Sequence, residues 1–238
     1  MAFIQMNLFS DSIGMATTVN IIMPERSKEP PAVLYLLHGL SDDHSTWVRR
    51  TAIERYAESR NLAVIMPTTY RGYYTDMENG YNYWTYISEE LPKKLHSMFN
   101  LSKERDKTFA AGLSMGGYGA LKLGLRQPER FKAVAGFSSA ADMNFRVAAE
   151  PEHVRVFGKT LSEENDLFRL AEKIDKNNAP KFYMWCGTED FLLDCNRRFS
   201  SHLKSLGFDL LYSESEGGHS WEKWDEQIKK TLDWFDTL

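Results

Sequence analysis

The sequence predicts an α/β fold: one mostly parallel central sheet with helices on both faces and a small insertion. Two observations carry this expectation. Short apolar runs, bounded by turn residues, alternate with segments of helical periodicity, which is the pattern of repeated βα units. Several of the runs are apolar throughout rather than alternating, as in Ala32–Leu37, and such runs suit strands buried on both faces of a parallel sheet. With 238 residues, 42% hydrophobic and 26% charged, the chain fits one domain spanning 1–238 better than two.

In order, Phe3–Ser10 and Met15–Met23 read as an opening strand pair joined by Asp11-Ser12-Ile13-Gly14. Pro30-Pro31 then precedes the buried strand Ala32–Leu37. Thr46–Arg60 carries Trp47, Val48, Ile53, Tyr56 and Ala57 at helical spacing. Leu62–Met66 is a strand stopped by Pro67. Tyr70 to Tyr86 is a long aromatic loop, with Tyr86–Phe99 helical after it. Lys107–Leu113 is a strand, and Met115–Arg126 is a helix stopped by Pro128. Phe131–Phe137 is a strand, and Ser138–Asn178 is a charged, less regular insertion, a candidate small cap. Lys181–Cys186, Asn196–Leu206 and Phe208–Ser213 read as strand, helix and strand. Ser220–Phe235 closes the chain as an amphipathic helix with Trp221, Trp224, Ile228, Leu232 and Phe235 on one side.

Composition excludes several classes. A net charge of −4 offers no basic footprint for nucleic acid. The apolar runs are too short to span a bilayer, so no membrane insertion is expected. The start of the chain lacks a basic segment followed by a long apolar one, so the expected location is cytoplasmic. Cys186 and Cys195 suit a reducing compartment, and no Cys/His cluster has zinc spacing. No metal or organic cofactor is expected.

The chemistry concentrates on Gly112-Leu113-Ser114-Met115-Gly116, a Gly-x-Ser-x-Gly motif between a strand and a helix. A serine on so sharp a turn needs small neighbours, because strand and helix approach closely there. By chance the motif occurs in roughly one chain in ten of this size, so Ser114 needs partners to be read as a nucleophile. Parallel sheets place sites at the carboxyl ends of their strands. His219, in Gly217-Gly218-His219-Ser220-Trp221, follows the last strand and is the candidate base. Asp190 follows Lys181–Cys186 and is the candidate orienting acid. Glu189 and Asp194 are nearby carboxylates better placed for helix capping. The chain order Ser, Asp, His distinguishes this arrangement from the chymotrypsin and subtilisin orders. His38-Gly39-Leu40 follows the third strand, where one oxyanion donor is expected from the Leu40 N–H, with the Met115 N–H as the second. His38 is expected to support this turn rather than act as the base. His44 either borders the site or plays a capping role. The aromatic loop, with Trp84 as its favoured member near the site, is either one wall of a substrate pocket or packing at a subunit interface.

These motifs, together with Ser41-Asp42-Asp43-His44-Ser45-Thr46-Trp47 and Gly117-Tyr118-Gly119-Ala120, resemble the esterase D-like α/β-hydrolases, with the tributyrin esterase group nearest. The resemblance covers nearly the whole chain. It implies the α/β-hydrolase fold and a carboxylesterase for small-molecule esters of short acyl chains, acetyl to butyryl. It also implies a triad of Ser114, Asp190 and His219, and a homo-oligomer, often a tetramer. S-formylglutathione hydrolases are relatives within the same group; there the His-Gly-Leu turn usually continues Thr-Cys, whereas here it continues Ser41-Asp42. The insertion's charged residues, Glu150, Glu152, Arg155, Lys159, Glu163, Glu164 and Asp166, argue against a greasy lid and so favour a soluble short-chain ester. The alternatives are a thioesterase on the same triad and a non-catalytic binding module.

Overall fold

The computed structural model describes residues 1–147 and 151–238. Among them one sheet of eight strands runs in the order β1-β2-β4-β3-β5-β6-β7-β8. The strands are β1 (Ala2–Ser10), β2 (Met15–Met23), β3 (Ala32–Leu37), β4 (Leu62–Pro67), β5 (Thr108–Leu113), β6 (Ala133–Phe137), β7 (Lys181–Gly187) and β8 (Leu210–Ser215). β1 pairs antiparallel with β2, and β2 antiparallel with β4. From β4 to β8 every pairing is parallel. This is the mixed, mostly parallel sheet of the α/β-hydrolase fold.

The parallel strands are buried on both faces because a helical layer covers each. In β3, Val33, Tyr35 and Leu37 point into one core with Tyr118, Leu121 and Phe199. Leu34 and Leu36 point into the other with Trp47, Trp224, Ile228 and Leu232. The first layer includes α5 (Met115–Arg126) and α9 (Leu193–Ser205). The second includes α1 (Thr46–Arg50), α2 (Ile53–Ala57) and α10 (Trp221–Phe235). Truncating a core leucine such as Leu36 to alanine would cost about 2–5 kcal/mol.

Three elements differ from the sequence expectation. The helix expected over Thr46–Arg60 is two short ones, because Thr51 is extended at φ −133°. The break is stabilised from a distance: Asp225 on α10 accepts from the Ala52 N–H at 3.0 Å and from the Tyr56 hydroxyl at 2.9 Å. The helix expected from Tyr86 begins earlier, as α3 (Tyr83–Thr85), and passes through a π turn at Tyr86–Glu90 into α4 (Leu91–Met98). Glu90 in that turn clamps the β1–β2 hairpin, accepting from Ser10 Oγ, Asp11 N–H and Ser12 N–H at 2.7–2.9 Å. Helix α9 starts three residues before the expected Asn196, so Asp194 lies in its first turn and Leu192 occupies the cap.

The 138–178 region holds α6 (Asn144–Val147), α7 (Pro151–Phe157) and α8 (Leu167–Lys173). It packs onto the aromatic loop and α5: His153 meets the Tyr73 hydroxyl at 3.0 Å, and Asn165 receives Lys122 and Tyr118. Glu150 lies outside the described residues. Among the described residues, no helix is long and apolar enough to cross a membrane.

Candidate active site

Ser114 sits between β5 and α5 with φ 52° and ψ −115°, a region that non-glycine residues rarely occupy. Two glycines make this turn feasible. A Cβ on Gly112 would lie 2.3 Å from the Gly116 carbonyl oxygen, and one on Gly116 would lie 2.3 Å from the Leu37 carbonyl oxygen. Hydrogen bonds then hold the serine's backbone: its N–H donates to Phe137 at 2.8 Å, and its carbonyl accepts from Tyr118 and Ala140 N–H groups. The sharp turn leaves Ser114 partly exposed among buried neighbours.

His219 and Asp190 come together at the ends of β8 and β7. His219 Nδ1 lies 2.8 Å from Asp190 Oδ2, with the aspartate side chain wholly buried and the imidazole 21% exposed. Burial disfavours the Asp190 charge, but hydrogen bonds from His219, Ser138 and the Leu192 N–H outweigh it and hold the carboxyl below its ordinary pKa. An ionised Asp190 makes Nδ1 the protonated atom of a neutral ring and leaves Nε2 as the acceptor. Trp224 stands edge-on to the imidazole with ring centroids 4.7 Å apart, and Phe191 lies at 4.6 Å. These rings restrict its swing. Trp224 Nε1 also donates to Ser138 Oγ at 3.2 Å, next in chain to the Phe137 carbonyl that holds Ser114. Ser114 and His219 are therefore linked through one short network.

Sequence reasoning missed two positioning side chains. Ser138, at φ +46° past β6, accepts from Trp224 and bonds Asp190. Glu189 is not a helix cap. Its carboxylate accepts from the Gly217 N–H at 2.5 Å and so ties down the turn that carries His219. The signal available was position: both follow strands at their carboxyl ends.

At the end of β3, the Leu40 N–H makes no backbone hydrogen bond among the described residues, and Met115 N–H lies in the first turn of α5, where no intrahelical acceptor exists. Both are free to donate. The helix N-terminus adds a favourable dipole for negative charge. His38 is buried, with Nδ1 2.7 Å from the Gly39 carbonyl and Nε2 accepting from the Thr69 N–H at 3.0 Å. Burial pushes its pKa down to about 4, so it serves as a neutral strut for the turn. His44 bonds Thr68 Oγ1 at 2.8 Å, a structural contact beside β4.

Trp84, expected beside the substrate, is instead buried in the core. Its ring is covered by Arg126 at 4.2 Å and Lys122 at 4.9 Å. Other members of the aromatic loop do line a cavity of about 720 Å³: Tyr70, Tyr81 and Tyr83, with Met77, Val156 and Arg155. One lining residue, Tyr70, follows Thr69, the partner of His38, in the chain. Cys186 and Cys195 are free, buried thiols, with burial pushing both pKa values up.

The family model described as "Putative esterase" matches residues 10–235. The chain belongs to this esterase family. An acetyl esterase of Caldicellulosiruptor saccharolyticus is 32% identical, with 98% of each chain covered. Among solved structures, FphF, a fluorophosphonate-binding serine hydrolase of Staphylococcus aureus, superimposes with a TM-score of 0.91 at 34% identity and 98% coverage of both chains. The S-formylglutathione hydrolase FrmB of Staphylococcus aureus superimposes with a TM-score of 0.89, also at 34% identity and 98% coverage of both. The chain is thus similar to hydrolases over nearly its whole length, and it shares their fold.

Proposed function

We propose that this esterase is a serine carboxylesterase for short-chain acyl esters, acetyl to butyryl, working through Ser114, His219 and Asp190. The observation that carries the reading is the 2.8 Å hydrogen bond between buried Asp190 and His219, which follow strands β7 and β8 at the end of the sheet where Ser114 follows β5 at φ 52°. In the proposed reaction, His219 Nε2 takes the Ser114 hydroxyl proton as Oγ attacks the ester carbonyl. The Leu40 and Met115 N–H groups receive the oxyanion, a contribution of about 3–4 kcal/mol for each well-aimed donor. His219 then protonates the leaving alcohol. A water molecule, deprotonated by His219, releases the acid and restores Ser114. Asp190 keeps the ring in its Nδ1–H tautomer and stabilises the imidazolium.

The Tyr70, Tyr81 and Tyr83 cavity is proposed to receive one end of the ester. Its apolar lining with a polar rim suits a small acylated molecule better than a long fatty chain. Homo-oligomerisation is part of the same reading, supported by Phe3 and Phe9 exposed on the edge strand β1, and light scattering on the pure protein tests it.

Initial rates on p-nitrophenyl acetate through octanoate, for wild type and Ser114→Ala, test the activity. The expected result is turnover that falls steeply beyond butyrate, and a folded Ser114→Ala protein slower by roughly 10⁴-fold or more. An active Ser114→Ala protein would sink the reading. Thioester hydrolysis is the second reading, favoured by the likeness to FrmB. Rates on S-formylglutathione and on p-nitrophenyl acetate, from one preparation, separate the two.

A further inference from the structure

We infer that Lys122 and Tyr74 are positioning residues that aim the Leu40 N–H at the oxyanion, acting through the backbone of the 38–40 turn. The inference rests on the esterase reading above. It starts from a side chain that reading does not use. Lys122, on α5, is fully buried, yet among the described residues no carboxylate pairs with it. Its Nζ donates to Asn165 Oδ1 at 2.6 Å, Thr75 Oγ1 at 2.9 Å and the Tyr74 carbonyl at 3.2 Å. The Trp84 and Tyr118 rings stand 4.9 and 5.5 Å away. Three converging acceptors call for three donors, and an ammonium is the side-chain group that offers three donors and no acceptor. Burial, with the nearby Arg126 charge, pushes the Lys122 pKa well down, and the Asp76 and Glu164 charges oppose that shift.

The anchored residue is strained. Tyr73 and Tyr74 both have positive φ, +49° and +50°. Such a segment persists only where surrounding contacts hold it. Lys122 holds the Tyr74 carbonyl, and the Tyr74 hydroxyl in turn donates to the His38 carbonyl at 2.9 Å. The next carbonyl along, Gly39, accepts from His38 Nδ1 at 2.7 Å and from the Asp42 N–H at 3.2 Å. A trans peptide is planar, and its N–H points opposite its C=O. Fixing the Gly39 oxygen therefore directs the Leu40 N–H the other way. Fixing the His38 oxygen sets the plane that precedes it. The same His38 oxygen packs against α5, where a Cβ on Gly116 would lie 2.6 Å from it. The Tyr74 hydroxyl thus ends where the oxyanion turn meets the nucleophile helix.

Tyr74→Phe deletes one oxygen and keeps the ring, so it is the informative variant. On p-nitrophenyl butyrate its kcat is expected to fall roughly 10- to 30-fold with KM within about twofold, less than the loss on deleting a donor outright. An aryl trifluoromethyl ketone, whose serine adduct carries an oxyanion, should bind weaker by the same factor. A merely structural role would lower the melting temperature without this matched loss. Lys122→Met should act in the same direction; if that variant does not fold, Tyr74→Phe decides alone. Wild-type kcat in Tyr74→Phe, or a fall in kcat without the matching loss of ketone affinity, overturns the relay. Turnover by Ser114→Ala would overturn the esterase reading itself, on separate grounds.

Discussion

Two turns at the same end of the sheet hold residues in unfavourable backbone conformations, and they do so by different means. The turn after β5 keeps Ser114 at φ 52° with help from its own neighbours, Gly112 and Gly116, whose missing side chains let strand and helix meet. The loop after β4 keeps Tyr70, Tyr73 and Tyr74 at φ +46° to +50°, and its supports come from far along the chain: Lys122, His153 and His38. Strain held by adjacent glycines is written into a short motif. Strain held by distant side chains is visible only when the chain is folded.

The largest expected effect on this comparison comes from the carboxylate proposed to act with Ser114 through His219. Asp190→Asn should lower kcat roughly 10³- to 10⁴-fold with the fold unchanged by circular dichroism, because the amide would favour the wrong imidazole tautomer. An active Asp190→Asn enzyme would show that the 2.8 Å contact with His219 is structural. Gly116→Ala tests the locally held strain directly. Its Cβ would collide with backbone carbonyls, which cannot rotate away as a side chain can. Denaturant unfolding should show a loss of about 1–3 kcal/mol, and kcat should drop by about 10²-fold as Ser114 shifts. Normal activity in this variant would break the contrast between the two turns.

Tyr73→Phe probes the distant supports. It removes one hydrogen-bonding oxygen from the buried contact with His153, and about 1 kcal/mol of stability should go with it. Activity should change little, since the His38 carbonyl is held by the Tyr74 hydroxyl, whereas the Tyr73 hydroxyl meets His153. The smallest effect is with pH. The Asp190 carboxyl is held below its ordinary pKa when folded, so its stabilisation is present above the unfolded value of about 4 and is lost as pH falls through the folded value. Melting temperature should therefore decline in acid, and Asp190→Asn should flatten part of that decline.

Much of the fold was legible because periodicity reports burial. The continuous apolar runs of β3, β4 and β5 became central strands, and the stripe of Trp224, Ile228 and Leu232 became the buried face of α10. Helix boundaries were less legible where a remote group sets them. Asp225 stabilises the break at Thr51, and nothing near Thr51 announces it. Trp84 shows the same limit at the site: an aromatic in a loop looks like a pocket wall, but Arg126 and Lys122 cover it. Glu189 looked like a cap because the Gly217 turn that it holds is distant in sequence.

By itself the sequence determined the alternating α/β architecture, the strained serine turn, and the strand ends from which a histidine and a carboxylate could approach. These follow from local sterics and from the period of apolar residues, which short segments carry alone. The tertiary structure decided which carboxylate reaches His219, what steadies that ring, and what holds the aromatic loop against the His38–Leu40 turn. Those depend on hydrogen bonds and ring contacts a few ångströms long between residues tens of positions apart, and only the packed chain brings such groups together.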